Sequence, residues 1–158
     1  MVISDVAREI TDDYAPYAEK YAPAINDLVT FDGAVFGVPQ DIGPTSMMYR
    51  HDIFDEYGFE VPTTWEEFAE VAEDIRAAGD GDMYIANFAG GDADLFVGLT
   101  MQAGANWWTV DGDEWKVDID SQASRDVLAF WQDMVDRDLV SVVPGGTPEW
   151  NSMMNDGN

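Results

Sequence analysis

Cysteine is missing from this sequence altogether, and lysine and arginine together number only 7 against 32 aspartates and glutamates. The first absence excludes a disulfide framework and any thiolate metal site, and it leaves the redox compartment unread. The second gives a formal charge of -25. A field of that sign repels phosphate backbones and anionic lipid surfaces, so neither nucleic acid nor a membrane surface is an expected partner. His51 is the sole histidine, which rules out a histidine metal cluster and leaves a Ser-His-Asp arrangement only one residue to use. No apolar run approaches the roughly 20 residues that span a bilayer, and Met1 to Ile10 lack the apolar stretch of a signal peptide. A targeting segment, if the protein is exported, is expected outside these 158 residues.

What is present is enough for one ordinary core: 46% of the residues are hydrophobic and 13% aromatic. The acidity is spread along the chain rather than gathered in a tail, a balance that suits solubility at high salt.

Apolar spacings near three and four predict two short helices within residues 3–29, broken at Pro16. A hairpin follows: Val29 and Phe31, the Asp32-Gly33 turn, then Val35, Phe36 and Val38, ended by Pro39. Ser46 to Tyr49 reads as a buried strand, and Asp52 to Tyr57 as a short helix closed by Gly58. Thr64 with Glu67 three residues on is a capping box, predicting a helix from Trp65 to about Ala78 with Phe68, Val71, Ala72 and Ile75 on one face. Met83 to Phe88 reads as a core strand, Asp92 to Gln102 as a helix opened by acidic residues, and Trp115 to Ile119 as a strand after the Asp111-Gly112 turn. Ser121 or Ser124 starts a long amphipathic helix carrying Val127, Leu128, Trp131, Met134 and Val135. Pro148 onward begins another helix, at whose end Asp156-Gly157-Asn158 leaves the expectation of a longer parent chain. Alternating helices and strands make the class α/β.

Several chemical readings fail on spacing. The acidic run 111–120 lacks the oxygen ligand and the glycine that a calcium loop needs at its fifth and sixth positions, where Trp115 and Lys116 stand; a solvated hairpin turn is the better account. Gly90-Gly91 and Gly145-Gly146 match no phosphate-binding fingerprint and are loop punctuation. No cofactor or metal is expected. The six tryptophans are many for this length, and aromatic faces stack on sugar rings while carboxylates accept their hydroxyls. Trp65 and Trp131 read as packing residues, whereas Trp108 and Trp150, placed in a loop and at a helix start, are open to either reading.

The stretch Phe31-Asp32-Gly33-Ala34-Val35-Phe36-Gly37-Val38-Pro39, then Met48-Tyr49-Arg50-His51-Asp52-Ile53-Phe54, Gly58 and Pro62-Thr63-Thr64-Trp65-Glu66-Glu67-Phe68, resembles family 1 extracellular solute-binding proteins, the maltose-binding-protein-like group. The resemblance continues through Gln102-Ala103-Gly104-Ala105 to Asn155-Asp156-Gly157. It implies a partial periplasmic-binding-protein-like fold of type II: residues 1–40 as the tail of a first lobe up to the hinge, and 41–158 as an incomplete second lobe. It implies no catalysis, a small sugar-like ligand held between lobes, delivery to the membrane subunits of an ABC transporter, and an extracellular or periplasmic, lipoprotein-anchored parent. Carried over by position, the ligand site comprises Asp41 and Gly43 beside Gln40, then Gly91, Asp92 and Asp94 before and within the start of one helix, Trp108, and Thr147 and Trp150 at the start of the last. Gly43 stands where the maltose-binder pattern often has a carboxylate. An acidic glycoside-processing enzyme and a free-standing interaction module are the rival readings, since paired carboxylates abound in any chain this acidic.

Overall fold

A computed structural model describes residues 6–157, and the chain divides into two compact units, residues 1–46 and 47–158.

Of the helical stretch predicted over 3–29 in the first unit, residues 3–5 lie outside the described residues, 6–10 are not helical, and the remainder is in three pieces. Helix α1 (Thr11–Tyr14) gives way to a 3₁₀ turn over Ala15–Lys20, and α2 runs over Pro23–Asp27. Pro16 has no N–H for an α-helical bond, so the chain tightens there instead of continuing. Tyr14 is buried and ties the pieces together: its hydroxyl donates to Asn26 Oδ1 at 2.6 Å, and Asn26 Nδ2 donates to the Ala18 carbonyl at 3.0 Å. Strands β1 (Thr30–Phe31) and β2 (Ala34–Val35) form the predicted hairpin. Asp32 and Gly33 both take positive φ, 51° and 77°, as a tight turn matched to strand twist requires.

Residues 46–49, read as a buried strand, are instead exposed and outside any ladder, with Met48 at 92%. Apolar character marks such a segment for a sheet, but a strand exists only where a neighbouring edge pairs with it.

The second unit is built on helices α3 (His51–Tyr57), α4 (Trp65–Ala78), α5 (Ala93–Gln102), α6 (Gln122–Asp136) and α7 (Pro148–Asp156). The capping box of α4 forms: Glu67 N donates to Thr64 Oγ1 at 3.1 Å, and Glu67 Oε2 accepts from the N–H groups of Thr63 and Thr64. Those bonds to its charged form hold the Glu67 carboxyl below the ordinary glutamate range. Phe68 and Ala72 of α4, Leu99 of α5 and Trp131 and Met134 of α6 meet in the core with Leu139 and Val140. Trp131 lies flat on Phe88, ring centroids 4.6 Å apart and planes 9° from parallel. Trp107 is buried between α5 and α6, its ring 6.0 Å from Phe96 and its Nε1 donating to the buried Ser124 hydroxyl at 2.8 Å.

Strands β3 (Trp108–Asp111) and β4 (Glu114–Val117) pair antiparallel around a turn at Gly112, as the solvated-hairpin reading requires. Met83 to Phe88 differs from its expectation. It meets the chain at Ser141 through one parallel bridge, Asn87↔Ser141, with Phe88 N donating to Ser141 O at 2.8 Å and Ser141 N to Ala86 O at 3.1 Å. Helices α5 and α6 lie in sequence between these two parallel segments, which is the α/β order.

Candidate functional site

Where two parallel segments run side by side, the loops leaving their carboxyl ends come out on one edge, and ligands of α/β proteins bind there. Here the segments end at Phe88 and Val143. Loop 89–92 leaves the first and opens α5; loop 144–147 leaves the second and opens α7. Each helix begins with a side-chain cap: Asp92 Oδ1 accepts from Leu95 N at 3.1 Å, and Thr147 Oγ1 accepts from Trp150 N at 3.2 Å while donating to Pro144 O at 2.9 Å. Two helix amino termini, each with donors left over, therefore flank one edge.

Of the residues singled out from sequence, Gly91, Asp92, Asp94, Thr147 and Trp150 sit on these two loops and first helical turns. Asp92 and Asp94 are exposed, and a side chain at Gly91 would meet open space. Asp92 has a structural duty that its acidic character alone did not announce, because one of its carboxylate oxygens is already a helix cap. Trp150 lines an apolar cavity of about 180 Å³ with Tyr49, Phe54, Ile85 and Met153. Trp108 lies on strand β3 rather than in a loop, because the cross-strand pair Trp108↔Val117 closes the hairpin. Its half-exposed ring packs edge-on to Trp107 at 5.5 Å. Asp41 and Gly43 belong to the other compact unit and are exposed in irregular chain, as is Gln40.

Sequence reading missed Asn87. Its carboxamide joins the ends of the two parallel segments: Oδ1 accepts from Val143 N at 2.9 Å and from Ser141 Oγ at 2.7 Å, and Nδ2 donates to Val143 O at 2.9 Å. The available signal was a polar residue inside an otherwise apolar run, Tyr84-Ile85-Ala86-Asn87-Phe88, where asparagine is disfavoured as a strand residue.

Arg50 lines the same cavity as Trp150 and is held by Asp52. All seven lysines and arginines are engaged: six form ion pairs, among them Arg76 with Asp138 and Arg137 with Glu73, and Lys20 sits over the Tyr17 ring. Among the described residues Asp92 and Asp94 form no ion pair, and the Asp94 carboxylate and the second oxygen of Asp92 are placed as acceptors. Among the described residues, no group of three or more histidine, aspartate or glutamate side chains gathers as a metal site.

The family described as bacterial extracellular solute-binding protein matches residues 2–156. An arabinooligosaccharide-binding protein of Halalkalibacterium halodurans is 25% identical over 94% of this chain, and the chain spans 34% of that relative's length. The binding protein associated with an ABC transporter in B. animalis subsp. lactis, solved with β-1,6-galactobiose, superposes with a TM-score of 0.78 at 29% identity, over 99% of this chain and 39% of that one. The galacto-N-biose/lacto-N-biose I-binding protein of Bifidobacterium longum, solved with lacto-N-biose, gives 0.79 at 27% identity, over 96% and 37%. The fold is thus α/β, periplasmic-binding-protein-like of type II and present in part. The chain belongs to the bacterial extracellular solute-binding protein family.

Proposed function

We propose that this chain is part of a two-lobed receptor that captures a sugar or oligosaccharide outside the cell and delivers it to the membrane subunits of an ABC importer, with no bond broken. The observation that carries the reading is the match of nearly the whole chain to two solved proteins holding disaccharides. The site's chemistry is consistent with it: exposed carboxylates, two capped helix starts and accessible tryptophan suit a hydroxyl-rich ring.

Residues 1–40 serve as the tail of the first lobe and 41–158 as much of the second, with the crossing segment 41–46 grouped by its contacts with the first compact unit. Asp92 and Asp94 accept sugar hydroxyls, Gly91 and Thr147 border the ligand, and Trp108 and Trp150 offer aromatic faces. Asp41 and Gly43 contribute from the segment following the hinge. The ligand favours a closed state through contacts made only there, and the transporter recognises that state. The parent protein is held at the membrane as a lipoprotein.

The test is calorimetric titration with β-1,6-galactobiose, lacto-N-biose and arabino-oligosaccharides, followed by assay of the recovered sugar. Binding with the sugar returned intact supports the reading. Release of reducing ends in proportion to protein would make it an enzyme of glycoside hydrolysis instead.

A further inference from the structure

We propose that Asn87 is a positioning residue for the sugar site: its side-chain amide locks Val143, the residue from which loop 144–147 departs, to the end of the 83–88 segment and so sets the distance between the two rims. This rests on the reading above, in which those rims bound the ligand.

The argument starts from the ladder. Backbone bonds join the two parallel segments at Ala86, Phe88 and Ser141, after which both chains turn into loops and backbone pairing stops. A rim left there would be free to drift. The Asn87 carboxamide supplies the missing rung, because it offers one donor and one acceptor to Val143, whose backbone N–H and C=O both bond to it at 2.9 Å. At neutral pH, where an aspartate would be ionised and acceptor-only, an amide presents that pair in fixed geometry from a side chain this short. Ser141 Oγ, donating to the same Oδ1 at 2.7 Å, fixes which way the amide faces.

Both ends of the link are held. The neighbouring Phe88 is stacked on the core Trp131. Beyond Val143, Pro144 has a restricted φ and accepts a bond from the Thr147 hydroxyl, which in turn caps α7. The position of the core is thereby passed through Asn87 to the start of α7. On the other rim, Asp92 N donates to Ala89 O at 2.8 Å, fixing the turn that begins α5. A site needs its groups held to within about half an ångström, and the Asn87 side chain holds together the two segment ends from which the rims depart.

The experiment uses Asn87→Asp, which keeps size and shape but puts a carboxylate oxygen against the Val143 carbonyl at neutral pH. In the 158-residue chain, the amide resonances of Val143, Gly145, Gly146 and Thr147 should shift, while those of α4 stay in place. If the loop glycines do not move, the proposal falls whether or not any sugar binds. In the two-lobed protein, affinity for β-1,6-galactobiose or lacto-N-biose should drop roughly tenfold or more at pH 7 with the protein fully folded. It should recover relative to the parent as pH falls toward about 4.5, because a protonated carboxyl again offers a donor and an acceptor, and its pKa is raised beside a carbonyl. A purely structural role would lower the melting temperature and leave the affinity of the folded fraction unchanged. Unaltered affinity at pH 7 despite shifted loop resonances would also overturn the proposal. If the parent binds neither disaccharide, the proposed function fails, and the resonance test still decides the linkage.

Discussion

Asp92 has two separable duties, and two substitutions distinguish them. Replacing it with alanine removes the oxygen that accepts from Leu95 N, which costs about 1 kcal/mol, with a usual range of 0.5–2. For a chain of this size that is a fall of about 2–4 °C in melting temperature per kcal/mol. Asparagine caps a helix about as well as aspartate, so Asp92→Asn should melt with the parent. Ligand binding should follow a different rule. A hydrogen bond from a sugar hydroxyl to a charged acceptor contributes about 1.5–3 kcal/mol. At about 1.4 kcal/mol per decade, losing the bond in Asp92→Ala weakens affinity roughly 10- to 150-fold, and losing only the charge in Asp92→Asn, which keeps a neutral acceptor, weakens it roughly 5- to 12-fold. Asp92→Ala should thus lose both stability and affinity, and Asp92→Asn affinity alone. Differential scanning calorimetry on the chain and titration calorimetry on the two-lobed protein read the two effects. If Asp92→Asn binds the disaccharide as the parent does, Asp92 is a cap and nothing more, and its place in the site is refuted.

Other outcomes follow from the packing and the charges. Ser124→Ala leaves the buried Trp107 Nε1–H without its 2.8 Å acceptor and should destabilise the chain by about 1–3 kcal/mol in urea unfolding; a neutral result would mean water reaches the indole. Arg50 forks onto Asp52 at 2.8 and 2.6 Å and holds its carboxyl down at about 2. A depressed carboxyl contributes stability above its unfolded pKa and loses it as pH falls, so the gap in melting temperature between parent and Asp52→Asn should close from about pH 4 toward 2. A gap that persists there would remove the charge from the explanation. With a formal charge of -25, stability should rise from millimolar to molar NaCl as repulsion is screened, and a flat or falling melting temperature would contradict that account.

The local signals in the sequence were reliable where the structure they specify is itself local. Thr64 and Glu67 lie within one turn of each other, and their capping box starts α4 at Trp65. Asp32-Gly33 specifies its own hairpin, and Ser121 caps α6 by accepting from Ser124 N. What could not be read depended on distant partners. Whether residues 46–49 or 83–88 become strands is decided by what lies beside them, and composition does not say. The bonds of Asn87 to Ser141 and Val143 join positions 54 and 56 residues apart. The candidate site was legible only through resemblance. Residue types alone would not have chosen Asp92 from 32 acidic residues, nor shown that its carboxylate also caps a helix.

The central claim is capture by closure, and small-angle scattering of the two-lobed protein tests it most directly. On titration with β-1,6-galactobiose or lacto-N-biose to saturation, the radius of gyration should fall in proportion to the bound fraction measured in parallel by calorimetry, and return when the sugar is dialysed away intact. Saturating sugar with no change in the radius of gyration, or a sugar recovered in pieces, would contradict it.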